Sequence, residues 1–477
     1  MKGSSPPVGL KRGLTLVPTA ALIVTSVIGS GVFVKARVMT CNVGEPGLVL
    51  LAYAVAGVFT LAGALTFAEL GAMLPRAGGG YNYVGAAFGR FWAFLTAWGD
   101  GLRAVGASGA LAVVFAIFFN DLVGGTLTPL QAKAVAVVVI IALTALALAP
   151  VRENGVVATV VTGLKVALVL GVGVAAFAFG DGTWAHFGAS GAAGACEGVP
   201  ASARLGVAGF GAAILGALWS YSGWTFIAML AEEVRAPGRT LPRALIGATV
   251  FLIGLYVLVN AGYFFALSPE AVASVPETSS VASAVLVRLI GAGGAAVLAA
   301  GLLVSTGGTL HAGLLARARV LFALARDGLL PRALAALSRR ARAPFAATLT
   351  LGGLALVAAL SGTFDLLTDL AIFITLLFNG LAVASVYRLR RRLPDAARPY
   401  RVWGYPVVPA LFLLASAYLI VNTLIATPGR ALAGLGLVAL GLPVYAYYAR
   451  RLPPSRPEDW LGDGPSAQPE GPSSASA

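Results

Sequence analysis

Apolar runs, each close to the roughly 20 residues with which a helix crosses a hydrocarbon core, alternate with short polar segments over nearly the whole chain. Ten of them predict spans at Leu14–Val38, Pro46–Met73, Trp92–Phe119, Ala132–Leu148, Gly155–Phe179, Gly206–Leu230, Ala244–Leu267, Gly291–Ala316, Pro344–Leu360 and Leu366–Val386. Two more follow at Val407–Ile425 and Ala431–Tyr448. The eighth is expected to run on to Ala325, because RARVLFALARDGLLP keeps a helical apolar period until Asp327, Gly328 and Pro331 stop it. The pattern is that of an all-α polytopic membrane protein with about 12 transmembrane helices.

Two of these runs carry a flaw at matching places. In the first, Val27 to Phe33 reads VIGSGVF, where glycines flank a serine; in the sixth, ALWSYSGWTF sets Ser220, Tyr221, Ser222 and Gly223 near mid-span. Each glycine gives up roughly 1 kcal/mol of helix propensity against alanine, and at membrane depth an interrupted backbone needs cover. One reading is close helix packing on small residues. The other follows from the five-span interval, since interrupted helices at corresponding points of two halves point to an inverted-repeat transporter with a midplane site. A broken helix offers free N–H groups to an anion and free carbonyls to a cation. An α-amino acid carries both charges on adjacent atoms. Its carboxylate would meet the amides of Gly29, Ser30 and Gly31, and its ammonium the carbonyls near Val27 and on the sixth span.

Composition narrows the class without changing it. The 477 residues are 58% hydrophobic and 11% charged, with 60 glycines and a mean hydropathy of +0.88. The net charge of +14 would suit a nucleic-acid partner, but the basic residues lie in short loops between apolar runs, as membrane orientation requires. Lys11, Arg12, Arg76, Arg90, Arg152, Arg235, Arg239, Arg243 and the clusters Arg317 to Arg342 and Arg388 to Arg401 fall on one side. That side is expected to be cytoplasmic, with both termini on it, in the plasma membrane. No cleavable leader is read at the start, so Leu14 onward is taken as a retained span. The two cysteines, Cys41 and Cys196, then lie on outer loops, where a disulfide is chemically possible; a pair of unrelated small core residues is the favoured reading. No metal-ligand spacing, catalytic triad or repeated channel filter is legible, so an enzyme or a channel is not expected, nor a cofactor or metal.

The motifs VIGSGVF, FAELGAMLPRAGGGYNYV, SYSGWTFIAMLAEEVRAPGRTLPRAL, ARVLFALARDGLLP and RPYRVWGYPVVPALF together resemble the amino acid, polyamine and organocation superfamily of permeases, nearest its L-type amino acid transporter branch and bacterial relatives. The resemblance runs from about Leu14 to Tyr448. It implies a leucine-transporter-like 5+5 inverted repeat with helices 1 and 6 broken. The chain then divides into a cytoplasmic tail at 1–13, a transport core of helices 1–10 at 14–390, helices 11–12 at 391–449, and a disordered cytoplasmic tail at 450–477. It further implies that Gly29, Ser30 and Gly31 hold the substrate carboxylate, that Val27, Trp219 and Ser222 offer backbone carbonyls to the amino group beside Gly223, and that Trp219 stands at an aromatic gate, with interface packing as its alternative. Lys165, alone among apolar residues in the fifth span, should face the bundle and have partners. In sodium-independent relatives such a lysine stands in for a bound sodium ion. It either releases its proton during transport or remains a charged strut, so protons are a candidate co-substrate.

The function implied is sodium-independent transport of amino acids, neutral L-amino acids by preference, by alternating access, as proton symport or exchange. The alternative is a carrier of polyamines, cationic amino acids or other organic amines; it should recruit acidic residues around the breaks, which have none. His311 stands where the L-type branch has asparagine; it is a candidate pH-sensitive residue, since histidine titrates at about 6.5 in water, or a hydrogen-bonded packing residue. Gly80 replaces an expected glutamate. Arg317 beside Arg319 is read as a solvated or lipid-facing base. Asp100 and Arg103 are expected to pair on one helix face, with a contribution to the permeation pathway as the alternative, Glu69 to order the PRAGGG loop, and Glu232 and Glu233 to meet arginines when the inner side closes. The loop NDLVGGTLTPLQAK lacks the cysteine by which eukaryotic L-type carriers join a partner subunit, so no covalent accessory subunit is expected.

Overall fold

The computed structural model describes residues 10–124, 126–179, 181–190, 194–276, 279–291, 293–361, 364–426, 428–453 and 456–460. Every predicted apolar run is helical. The first is split into α1 (Leu16–Val27) and α2 (Gly31–Val43); α3 (Pro46–Met73), α4 (Gly80–Phe88), α5 (Arg90–Leu122), α6 (Pro129–Ala147) and α7 (Val151–Phe179) follow. The sixth is split into α8 (Gly206–Ser220) and α9 (Phe226–Met229), and after it come α10 (Pro237–Ala266), α11 (Pro269–Ala273), α12 (Val281–Ile290) and α13 (Gly293–Arg326). The chain then passes through α14 (Phe345–Ser361), α15 (Phe364–Arg392), α16 (Val407–Ala426), α17 (Pro428–Ala439) and α18 (Gly441–Ala449). The two broken spans thus each head a set of five, the arrangement of a leucine-transporter-like repeat.

Local chemistry sets the boundaries. Pro46, Pro129 and Pro237 open their helices at the first turn, where the missing N–H costs nothing. Thr128 and Gln131 close a reciprocal capping box on α6. Among the described residues, seven helices are long and apolar enough to cross a membrane alone, and the bent α1–α2 pair makes an eighth. Gly206–Ser220 is shorter than the run predicted, because the chain turns from Tyr221 to Thr225. The eighth span runs to Arg326, as its period requires.

α1 packs between α7, α10 and α13, while α8 lies against α2 and α3. Cys41 at the end of α2 and Cys196 are bonded to each other, with Cα atoms 5.6 Å apart. This corrects the reading of them as unrelated core residues: the bridge ties α2 to the segment that leads into α8. Within the described part of the tail expected to be disordered from residue 450, Leu452 packs against the core. Trp460, 4% exposed, stacks edge-on against Tyr81, and Arg76 donates to the Asp459 carbonyl at 2.9 Å.

Candidate functional site

Residues 28–30 break the first span, and the two helix axes meet at 43°. Ile28 still donates to the Val24 carbonyl at 2.8 Å, but the Gly29 N–H turns back on Val27 at 2.8 Å. A continuous helix would have joined Gly29 to Thr25 and Val32 to Ile28. The carbonyls of Thr25 and Ile28 are therefore released. On the other side, Phe33 and Val34 already bond the Ser30 carbonyl at 3.1 and 3.2 Å, which leaves the amides of Ser30, Gly31 and Val32 as first-turn donors with no carbonyl partner among the described residues.

Lys165 fills the carbonyl end. Its Nζ donates to the Thr25 carbonyl at 2.7 Å, to the Ile28 carbonyl at 2.7 Å and to the Thr309 hydroxyl at 3.0 Å. Ser305 adds a hydroxyl to Ile28 at 3.0 Å. The lysine, 1% exposed, thus closes α1 onto α7 and α13 at the point where a helix ladder was interrupted.

The second break faces the first directly. Ser222 donates to the Trp219 carbonyl at 3.1 Å, and the chain turns through Gly223 at φ +115°, a conformation that L side chains rarely adopt. A Cβ at Gly223 would run into the Ser26 carbonyl, and one at Gly31 would stand 2.7 Å from Ser220 Oγ. Tyr256 of α10 holds the pair together: its hydroxyl lies 3.0 Å from the Ser220 carbonyl and 3.3 Å from the Val27 carbonyl. Over Gly29 there is open space, since a Cβ there would meet only the Val27 carbonyl, at 4.0 Å.

Of the residues singled out by sequence, Val27, Gly29, Ser30, Gly31, Ser222 and Gly223 come together around these breaks, with Lys165 behind them. Trp219 is at the rim, 38% exposed, with Lys35 Nζ 5.8 Å from its ring centroid. His311 is elsewhere. Its Nε2 donates to Asn154 Oδ1 at 2.7 Å, and Asn154 in turn donates to the Ala149 carbonyl at 2.9 Å, so the pair stitches α13 to the start of α7.

Residues 14–440 match the amino acid permease family. The chain belongs to that family. It is 30% identical over 441 residues to the serine/threonine exchanger SteT of Bacillus subtilis (strain 168), covering 92% of this chain and 97% of that one. It is 30% identical to the large neutral amino acids transporter small subunit 2 of Rattus norvegicus, over 92% of this chain and 81% of the relative. The cystine/glutamate transporter of Homo sapiens is 28% identical, over 92% and 85%. The permease is an integral multi-pass membrane protein whose substrates are amino acids, and it is not an enzyme.

On the arginine-rich face the permease is latched. Arg319, fully buried, holds Glu233 with 2.7 and 3.2 Å bonds; Arg326 holds Glu232 at 2.8 Å. Gly13 and Leu14 donate to the Glu233 carbonyl at 2.9 and 3.1 Å, and Arg235 donates to Leu14 at 2.8 Å, so the chain ahead of α1 is stitched to the loop after α9. Glu232 also accepts the Ala77 N–H at 3.0 Å. It, and not Glu69, orders the PRAGGG loop: Glu69 accepts from Arg390 at 2.9 and 2.6 Å and from the Val402 N–H at 2.6 Å. Asp100 and Arg103 do pair. Arg317 overturns its reading as a solvated or lipid-facing base, for it is only 4% exposed and its guanidinium carbon lies 4.4 Å from the centroid of the Phe226 ring.

Sequence reasoning missed Tyr256, Ser305 and Thr309. The two hydroxyls could have been found by asking which polar residues of the eighth span share one helix face; Tyr256, one of 13 tyrosines, carried no such signal.

Proposed function

We propose that this permease is a sodium-independent secondary transporter of neutral L-amino acids that works by alternating access and exchange, in the plasma membrane with both termini cytoplasmic. In this reading the amides of Ser30 and Gly31, with Gly29 leaving room above them, hold the substrate carboxylate. The carbonyls of Val27, Trp219 and Ser222, at the two facing breaks, receive the ammonium. Gly223 lets the sixth span approach, and Trp219 covers the pocket from the rim. The observation that carries the proposal is Lys165 Nζ at 2.7 Å from two carbonyls released by the first break: a fixed ammonium stands where a transporter using sodium would place the ion. Its three partners favour the reading of a charged strut, and with it exchange over proton symport. Neutral substrates are favoured over polyamines because neither Leu16–Val43 nor Gly206–Leu230 contains an acidic residue, and a multiply charged amine needs carboxylates. The basic loops favour the orientation.

The test is efflux from preloaded proteoliposomes in sodium-free buffer, with and without external amino acids and with an imposed pH gradient. External neutral amino acid should accelerate efflux at least tenfold and the gradient should not drive accumulation. Accumulation driven by the gradient would replace exchange with symport, and inactivity across all common amino acids would sink the proposal.

A further inference from the structure

Arg317 has no hydrogen bond or ion pair among the described residues, and its Nε is buried without a partner. A guanidinium enclosed in this way is costly unless something of opposite charge reaches it during the working cycle. Its position is informative. The side chain folds back along α13 towards Gly313, where a Cβ would stand 3.0 Å from Nη1, so the glycine makes the space that the charge occupies. Gly313 lies four residues, about 6 Å of helix rise, from Thr309, which touches Lys165 at the first break. The guanidinium also faces Phe226, the first residue of the half-helix that resumes after the second break.

A second cation lies near the same ring. The Arg103 guanidinium carbon is 6.0 Å from the Phe226 centroid. Arg103 and its partner Asp100 line a cavity of about 40 Å³ with Thr96, Thr225, Thr375 and Asn379, small enough to hold about one or two waters. Asp100 offsets one of the two guanidinium charges, and the ring face attracts both weakly. One positive charge remains, buried between the breaks and the latch formed by Glu232 and Glu233.

Building on the proposed exchange of amino acids, we infer that Arg317, with Arg103 beside the same Phe226 ring, forms a second carboxylate subsite on the limb of the pathway leading to the arginine-rich face. When the latch opens, the substrate carboxylate leaves the amides at the first break and is received by Arg317 before release. On the return leg the same guanidinium draws an entering amino acid in from that side.

The subsite predicts a one-sided defect. In proteoliposomes of defined orientation, Arg317→Met should raise the half-saturating substrate concentration at the arginine-rich face about tenfold and change that at the opposite face less than about threefold. Arg317→Lys should recover most of the loss. Equal change at both faces, or no change at either, overturns the inference. Arg103→Met provides an independent arm should Arg317→Met fail to fold: it frees Asp100 to neutralise Arg317, so the same one-sided loss is expected, and symmetric behaviour again overturns the subsite. Substituting gluconate for chloride separates the substrate carboxylate from a free halide. Wild-type affinities unaffected by the exchange support the assignment, whereas an affinity at the arginine-rich face that requires chloride overturns it. Wild-type activity in the same vesicles keeps the outcomes apart, since an inert wild type defeats the proposed function, while active protein with symmetric variants defeats only the subsite.

Discussion

At the scale of single residues, the lone charge in the fifth span does most to shape the site. Lys165 donates to carbonyls that no backbone amide can reach once Gly29 has turned back on Val27. Replacing it by methionine keeps the apolar stem and orphans the Thr25 and Ile28 carbonyls, at a cost on the order of 1–3 kcal/mol for each. Lys165→Met should therefore abolish exchange and lower the melting temperature of the purified permease, and sodium should restore neither. A variant that transports normally would show the lysine to be incidental. This residue was legible because an unpartnered charge in lipid is improbable on energetic grounds alone. Arg317 was not, since a basic residue near a helix end is ordinarily solvated, and only the packing of Phe226 and Gly313 around it shows otherwise.

At the scale of elements, the two breaks are one unit, and its glycines differ in what they do. Gly223 is held at φ +115° with the Ser26 carbonyl where a Cβ would go; alanine there adds backbone strain on the order of 1–3 kcal/mol and pushes the two spans apart. Gly29 faces open space. Gly223→Ala should thus lower both thermal stability and exchange, whereas Gly29→Ala should leave stability within about 0.5 kcal/mol of wild type and impair exchange by narrowing the pocket. Equal stability losses would mean that the pocket over Gly29 is closed. The span pattern and both breaks could be read from the sequence because apolar run length and glycine placement are local properties. What joins the elements could not. The Cys41–Cys196 bridge spans 155 residues, Glu69 meets Arg390 over 321, and His311 finds Asn154 over 157. Nothing in a local window ranks one partner above another across such distances.

At the scale of the whole molecule, two ion pairs latch α13 to the loop after α9 on the arginine-rich face, and we expect them to set how readily that face opens. Glu233 and Arg319 are both buried, at 2% and 0% side-chain exposure, so removing one charge leaves the other enclosed, a loss of about 3–5 kcal/mol in pairs of this kind. Glu232 contributes a second, half-buried link. Burial pushes its carboxyl up, but Arg326 and the Ala77 and Leu10 amides outweigh that and hold it below the ordinary glutamate value. A carboxyl depressed in the closed state stabilises that state above the ordinary value of about 4.3 and loses the effect only as pH falls through its lowered value. The latch should accordingly stay closed from pH 5 to 8 and loosen only in stronger acid. Glu233→Gln should open it at neutral pH. Because the chain's two cysteines are bonded to each other, a cysteine placed at Thr225, in the cavity beneath the second break, would be the sole free thiol. Its labelling from the arginine-rich face by a membrane-impermeant maleimide should be slow in the wild-type background at pH 7 and at least tenfold faster with Glu233→Gln. Equal rates in the two backgrounds would place the barrier elsewhere, in the packing of Leu14 against the loop after α9, and would leave the ion pairs as consequences of closure.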